Sequence, residues 1–154
     1  GVLAFEGGRR SLQKLPPDTG QLLVDTAAGS RERDLEPYLD QANVLLVPVL
    51  PSSFDLHATL AFADELRSIN RIHRGKLPVA LVANRLKPWT HASQDAIIQL
   101  AEQSPFPIVA QLRDSQAYVL LASLGKGIFD YHSEQVRSHQ EDWKPLLRWI
   151  KRHA

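Results

Sequence analysis

An aspartate that ends a short apolar run is the first residue in this chain that could do chemistry. Residues 22–25 read Leu-Leu-Val-Asp, and small residues follow as far as Gly29. An aspartate at the carboxyl end of a buried parallel strand lies where α/β proteins bind ligands, and it can support the Mg²⁺ of a nucleotide. We therefore predict that Asp25 supports Mg²⁺, directly or through water. The alternative is a strand-end aspartate that caps the next turn.

Asn84 and Arg85 end a later apolar run that begins at Pro78. A side-chain amide offers a donor and an acceptor together, which suits the edge of an adenine base. The neighbouring Arg85 either stacks on that base or faces solvent. The structural alternative for Asn84 is closure of a turn at the end of a strand.

A basic cluster near the carboxyl terminus suggests contact with nucleic acid. The cations Lys144, Arg148, Lys151 and Arg152 lie on a predicted helix together with His153. If Trp143, Leu146, Leu147 and Ile150 face inward, most of these cations face outward and can contact DNA phosphates without sequence preference. The alternative is that cations at the end of a helix favour its dipole and keep the surface soluble.

The composition sets the limits for these sites. A chain of 154 residues with 44% apolar and 23% charged residues is typical of one globular domain. The net charge of +1 favours no class of partner, so any electrostatic attraction must be local. Cysteine is absent, which excludes disulfides and thiolate metal sites, and we find no signal peptide and no apolar run of membrane length. These features predict a cytoplasmic protein.

Alternating apolar runs and helical patterns predict an α/β fold with a doubly wound, mostly parallel sheet and helices on both faces. The predicted strands are Val2–Phe5, Leu22–Asp25, Val44–Leu50, Pro78–Asn84 and Pro107–Gln111. The predicted helices cover 54–72, 93–102, 115–124 and 141–153. The carboxyl ends of parallel strands meet at one edge. We therefore expect Asp25, Ser52, Ser53, Asn84 and Arg113 to face one crevice.

In their order and spacing, four segments resemble the ParA/MinD family of partition ATPases. They are Leu-Leu-Val-Asp-Thr-Ala-Ala-Gly at 22–29, Ala-Asn-Val-Leu-Leu-Val-Pro-Val-Leu-Pro-Ser-Ser-Phe-Asp-Leu at 42–56, Ala-Leu-Val-Ala-Asn-Arg at 80–85, and the run from Gln-Leu-Arg-Asp-Ser to Gly-Ile-Phe-Asp-Tyr at 111–131. The resemblance covers residues 20–131. It implies a single P-loop NTPase-like domain over 1–154 that binds ATP or ADP with Mg²⁺.

The resemblance also implies roles for individual residues. Asp25 belongs to the catalytic magnesium site, and Thr26 and Gly29 belong to a switch segment that senses the γ-phosphate, the alternative being a simple tight turn. Asn84, Arg85 and Arg113 belong to an adenine pocket, although Arg113 could instead be a solvated surface residue. The serines after Pro51 lie near the nucleotide or a dimer interface, with helix capping as their alternative. Family members associate with DNA non-specifically, form nucleotide-dependent homodimers and respond to a ParB-like activating partner.

The chain departs from the family at the phosphate loop. Neither G-x-x-x-x-G-K-[ST] nor the family's K-G-G-x-G-K-[ST] occurs in the sequence, and the Gly-Lys pairs at 75–76 and 125–126 fit helix ends. The sequence also lacks methionine, so we expect an N-terminally incomplete domain that has lost its first strand and does not turn over ATP. A second hypothesis is a degenerate ParA-like module that binds or scaffolds without catalysis. A third is an α/β domain of another nucleotide-binding family.

Overall fold

The computed structural model describes residues 15–27, 29, 30 and 32–154, so the predicted strand Val2–Phe5 lies outside the described residues. The chain forms two compact units, Gly1–Ala42 and Asn43–Ala154. That residues 1–154 form a single nucleotide-binding domain stays a prediction. Within the described ranges, no helix is both long enough and apolar enough to cross a membrane.

In the first unit, helix α1 spans Glu32–Leu39 and buries Leu35 and Leu39. The predicted strand Leu22–Asp25 is wrong, because residues 21–27 have no regular secondary structure and are exposed, with Leu23 at 88%. A strand needs a neighbour that accepts its backbone hydrogen bonds. The three described strands all lie within residues 45–113, and residues 22–24 form no described ladder.

The second unit contains a parallel sheet of three strands in the order β1-β2-β3. These are β1 (Leu45–Val49), β2 (Val79–Leu86) and β3 (Ile108–Arg113). Each lies within two residues of its predicted bounds. The helices are α2 (Ser53–Ser68), α3 (Asn70–His73), α4 (His91–Gln103), α5 (Gln116–Ser123) and α6 (Glu134–His153).

The alternation of side chains along β2 separates two layers of core. Leu81 packs with Leu56 of α2 and Leu100 of α4 on one face of the sheet. Val82 packs with β3 and with Leu146 of α6 on the other face. The α/β class with helices on both faces is therefore confirmed. The described strands follow chain order without reversal, so α2 and α4 share one face and α6 covers the other.

The helix ends follow local sequence signals. Ser52 caps α2 by accepting a hydrogen bond from the Asp55 backbone N–H at 3.2 Å, as its capping alternative predicted. Gly75 and Gly125 have φ of +67° and +66°, and each follows the end of a helix. Both Gly-Lys pairs are therefore helix ends, as expected, because glycine adopts the left-handed conformation at low cost.

Helix α6 is longer than its apolar stripe predicts. It starts after Ser133, whose Oγ accepts from the Val136 N–H at 3.2 Å, seven residues before the predicted start. The first two turns bury only Val136 and His139, a weak periodic signal in a polar stretch. The prediction that Leu147 faces inward is wrong, since it is 46% exposed. It lies about 100° around the helix from the buried Leu146.

Candidate functional site

The carboxyl edge of the sheet is built from three strand-to-helix junctions. The residues that cap the following helices are Ser52 after β1, Thr90 after β2 and Ser115 after β3. Parallel strands place these junctions at one edge, which is where ligands bind in open α/β sheets. Of the predicted site residues, this edge holds Ser52, Asn84, Arg85 and Arg113 together.

Asn84 and Arg85 form an irregular end to the central strand. Arg85 has φ of +54°, the one positive value among the described non-glycine residues. The Asn84 Oδ1 accepts a hydrogen bond from the Arg85 backbone N–H at 2.9 Å, and the register with β3 shifts between Ala83 and Leu86. The Asn84 amide thus closes a local turn, which was its structural alternative. Its Nδ2 has no hydrogen-bond partner within the described ranges.

A cross-strand ion pair joins the ends of β2 and β3. The Arg85 Nε lies 3.6 Å from the Asp114 Oδ1, and the Asp114 N–H donates to the Leu86 carbonyl at 2.9 Å. The Arg85 side chain is still 67% exposed. Its guanidinium is therefore held at the edge of the sheet with most of its surface open to a ligand or to solvent.

Arg113 binds helix α6. Its Nε donates to the Asp142 Oδ2 at 2.8 Å, its backbone N–H donates to the same oxygen at 3.4 Å, and its Nη2 donates to the Ser138 carbonyl. The hydrogen bond to Asp142 raises the pKa of Arg113 above its ordinary value, against the lowering effect of burial. The Arg113 side chain is 35% exposed and paired with Asp142, so it is not simply solvated. The guanidinium already has two protein partners, Asp142 and Ser138. Its place in an adenine pocket stays a prediction.

A second polar network joins α5 to α6. The Ser115 Oγ accepts from the Ala117 N–H at 3.2 Å and lies 3.0 Å from the His139 Nε2. The Trp143 Nε1 donates to the Tyr118 hydroxyl at 3.0 Å, and burial raises the pKa of Tyr118 above 10.0. The buried His139 Nδ1 has no partner among residues that the structure describes. This Ser-His pair therefore lacks the orienting carboxylate that a hydrolase triad requires.

Asp25 lies in the first unit, exposed, on the irregular segment 21–27. The strand that was expected to carry it to a sheet edge is not formed there. Gly29 has φ of +73°, and the Ser30 N–H donates to the Ala27 carbonyl at 3.2 Å, so the simple turn predicted as an alternative is present. The magnesium role of Asp25 and the switch roles of Thr26 and Gly29 stay predictions.

The three junctions lack the features of a phosphate cradle. The connecting residues 50–52, 87–90 and 114–115 contain no glycine, whereas a phosphate loop needs small residues that let backbone N–H groups approach the anion. A search of the described residues finds no group of three or more histidines, aspartates or glutamates able to hold a metal ion. The described junctions therefore contain no glycine-rich phosphate loop.

The predicted DNA-binding cations form one face of α6. Lys144, Arg148, Lys151 and Arg152 are exposed and follow the spacing i, i+4, i+7, i+8. They lie opposite Leu146 and Ile150, which pack against the sheet. Lys144 is paired with Glu141 at 2.6 Å, while Lys151 and Arg152 lie in the last turn. The structure thus places these four residues together on one solvent-facing surface.

Two partners at this edge were missed by sequence reasoning. Asp114 and Asp142 hold Arg85 and Arg113, respectively. Asp114 directly follows the Leu-Arg pair and could have been found as a candidate counter-ion. Asp142 lies 29 residues from Arg113, and no local pattern indicates that pairing.

No family model matches this sequence, and no curated protein matches it significantly. The ParA/MinD resemblance therefore rests on the motifs themselves.

Proposed function

We propose that this chain is a ParA-like module of the partition ATPase class, with the base-binding end of a nucleotide site at Asn84 and Arg85. The observation that carries the proposal is the φ of +54° at Arg85, at the carboxyl end of the central strand of a parallel sheet. A left-handed non-glycine residue costs about 1–2 kcal/mol and is characteristic of ligand sites. The proposal includes a doubly wound P-loop NTPase-like fold, nucleotide-dependent dimerisation and a ParB-like partner.

The chemistry at Asn84 supports recognition of adenine. Its Oδ1 uses one of two lone pairs on the Arg85 N–H, which fixes the orientation of the amide. The Nδ2 group then remains to donate to a ring nitrogen of the base, and the second lone pair of Oδ1 can accept from an exocyclic amine. In this proposal Mg²⁺ accompanies the phosphates and is supported by Asp25. The described junctions contain no glycine-rich loop to hold those phosphates, although Arg85 and Lys87 are exposed cations beside the second junction.

The first prediction concerns Asn84. Calorimetric titration of the 154-residue chain should detect Mg-ADP binding, and Asn84→Ala should weaken it about tenfold through loss of the base hydrogen bonds. Asn84→Asp keeps an acceptor for the Arg85 N–H but loses the amide donor, so it should weaken binding without disturbing the turn. Asn70→Ala, at an exposed amide on α3, is the matched control.

Two results of that titration would contradict the proposal. Binding that is unchanged in both Asn84 variants would remove the base-recognition role. Equal competition by guanine and adenine nucleotides would instead favour the hypothesis of another nucleotide-binding family.

The second candidate function is a degenerate module that binds or scaffolds without catalysis. The absence of a phosphate loop from the sequence and the engagement of Arg113 by Asp142 and Ser138 favour it. It predicts that the chain binds neither Mg-ATP nor Mg-ADP at millimolar concentrations while remaining folded. The same titration therefore separates the two candidates.

The second prediction concerns the basic face of α6. Neutralising two exposed cations in the variant Arg148→Gln/Lys151→Gln should weaken binding to a DNA duplex of arbitrary sequence. The slope of log Kobs against log salt should become shallower by about 2, because each phosphate contact contributes about 0.9. The control Lys76→Gln/Lys126→Gln removes the same charge from exposed lysines elsewhere in the second unit. Equal slopes in both double variants would show that the net charge, not this face, attracts the DNA.

A further inference from the structure

Trp89 is exposed at the carboxyl edge of the sheet. It follows β2 by three residues and is 71% exposed. An indole can bury about 150–250 Å², so most of the hydrophobic stabilisation that this side chain could supply is not used within the described residues. Single exposed apolar residues are common and need no explanation by themselves. The turn that carries this one is held by several hydrogen bonds.

Three hydrogen bonds hold the turn that presents Trp89. The Thr90 N–H and the Thr90 Oγ1 both donate to the Lys87 carbonyl, at 3.0 and 2.9 Å. The Gln94 side chain donates to the Pro88 carbonyl at 2.7 Å. Pro88 itself has a restricted φ. The backbone on both sides of Trp89 is therefore fixed before any ligand arrives, which lowers the entropic cost of binding.

The Thr90 side chain bonds within this turn and does not cap helix α4. It is the N-cap residue of α4, yet its side chain makes no capping hydrogen bond. A threonine that caps a helix normally accepts a hydrogen bond from a backbone N–H of the first turn. Here the hydroxyl holds the Lys87 carbonyl instead, so the turn is maintained at the expense of the helix end. Such a departure from the local rule is expected where function requires it.

The neighbours of Trp89 are suited to a nucleobase that carries phosphate. Arg85 and Lys87 are exposed cations on the same edge, and Asn84 offers its amide. An open cleft of about 370 Å³ lies beside the turn and is lined by Leu86, Pro88, Gln94, Ile97, Ile98 and Gln111. Apolar walls with a few amides are typical of small-molecule sites, and nucleic-acid sites add cations and stacking rings; Pro88, which lines this cleft, directly precedes Trp89.

We propose that Trp89 is a stacking platform for a nucleobase whose phosphates are held by Arg85 and Lys87. The inference deepens the proposed nucleotide function and rests on it. Two sources share the ligand chemistry, a free adenine nucleotide and an unpaired base in a nucleic-acid strand. In either case the indole covers one face of the base, and the fixed turn orients the ring.

Tryptophan fluorescence and calorimetry on the 154-residue chain test this directly. The ligands are Mg-ADP, a single-stranded oligodeoxyadenylate and inorganic pyrophosphate, which carries phosphate without a base. The variants are Trp89→Ala and Trp89→Phe, each checked for native circular dichroism. The fluorescence control is Trp149→Phe, because Trp149 stacks on His153 near the end of α6.

We expect Mg-ADP to quench the fluorescence of the unaltered chain and of Trp149→Phe. Trp89→Ala should lose this quenching and bind Mg-ADP about tenfold more weakly, since base stacking on an aromatic ring contributes about 1–3 kcal/mol. Trp89→Phe should retain affinity to within about threefold because it keeps an aromatic face. Pyrophosphate should bind weakly and leave the emission unchanged.

The outcomes separate this inference from the function on which it rests. Mg-ADP binding that depends on Asn84 but is unchanged in Trp89→Ala overturns the stacking role alone. Quenching of Trp89 by the oligonucleotide and not by Mg-ADP supports the stacking role with a strand as the source, and overturns the free-nucleotide function. Absence of binding by both ligands overturns both proposals.

Discussion

Replacing Leu81 by alanine should lower the free energy of unfolding by about 3–4 kcal/mol, the largest effect that we expect for a single substitution here. Leu81 is fully buried on the central strand, and its register partners are Val47 and Ile108. It packs against Leu56 and Leu100 from two helices. These rigid elements cannot close the cavity that the substitution leaves, so the lost contacts are not replaced. Urea denaturation followed by circular dichroism measures the change.

Leu23→Ala is the matched control, because it makes the same chemical change at a side chain that is 88% exposed. We expect a change within about 0.5 kcal/mol. If Leu22–Asp25 were a buried parallel strand, as the sequence pattern predicts, Leu23→Ala would cost about as much as Leu81→Ala. Equal losses in the two variants would contradict the exposed arrangement.

Asp142→Ala should lower the free energy of unfolding by about 2 kcal/mol. Breaking a buried ion pair typically costs about 3–5 kcal/mol, and we reduce this because the Arg113 side chain is 35% exposed. The substitution leaves the Nε and the backbone N–H of Arg113 without their shared acceptor. It also removes hydrogen bonds that join α6 to β3, so the carboxyl-terminal helix should become more accessible to proteolysis.

Glu141→Ala is the control for Asp142→Ala. The two acids are adjacent in α6, and alanine gains more helix propensity at Asp142 than at Glu141, which makes the expected loss at Asp142 a conservative one. Glu141 pairs with Lys144 on the exposed side of the helix, and its loss should cost less than about 0.5 kcal/mol. A double-mutant cycle with Arg113→Ala then isolates the coupling energy. Equal effects of Asp142→Ala and Glu141→Ala would show that the Arg113 pair does not hold the helix.

Much of the second unit could be predicted from local pattern. Continuous apolar runs indicate β1, β2 and β3 because strands buried on both faces need apolar residues at every position. Ser52 and the glycines at 75 and 125 mark helix ends because capping and left-handed turns depend on one or two residues. These signals are local, so the sequence carries them without reference to the rest of the fold.

The candidate site was predictable in position but not in its connections. Asn84 and Arg85 were recognised as the end of a strand, whereas the positive φ of Arg85 depends on its hydrogen bond to Asn84 and on the register with β3. The exposure of Trp89 likewise depends on hydrogen bonds that close the turn around it. A sequence pattern indicates which polar side chains are present, but not which of them already have hydrogen-bond partners in the fold.

The sequence by itself determined the α/β class, the three parallel strands and the residue types at the carboxyl edge, because burial and turn chemistry are local properties. Only the tertiary structure decided that Arg113 belongs to Asp142, that Leu22–Asp25 is not a strand, and that α6 begins seven residues early. The first two depend on residues distant in the chain, and the early start of α6 depends on the Ser133 cap together with the packing of Val136 against Leu121 and Ile128. Whether an apolar run forms a strand, and whether an arginine can bind a ligand, depends on which residues pack beside it.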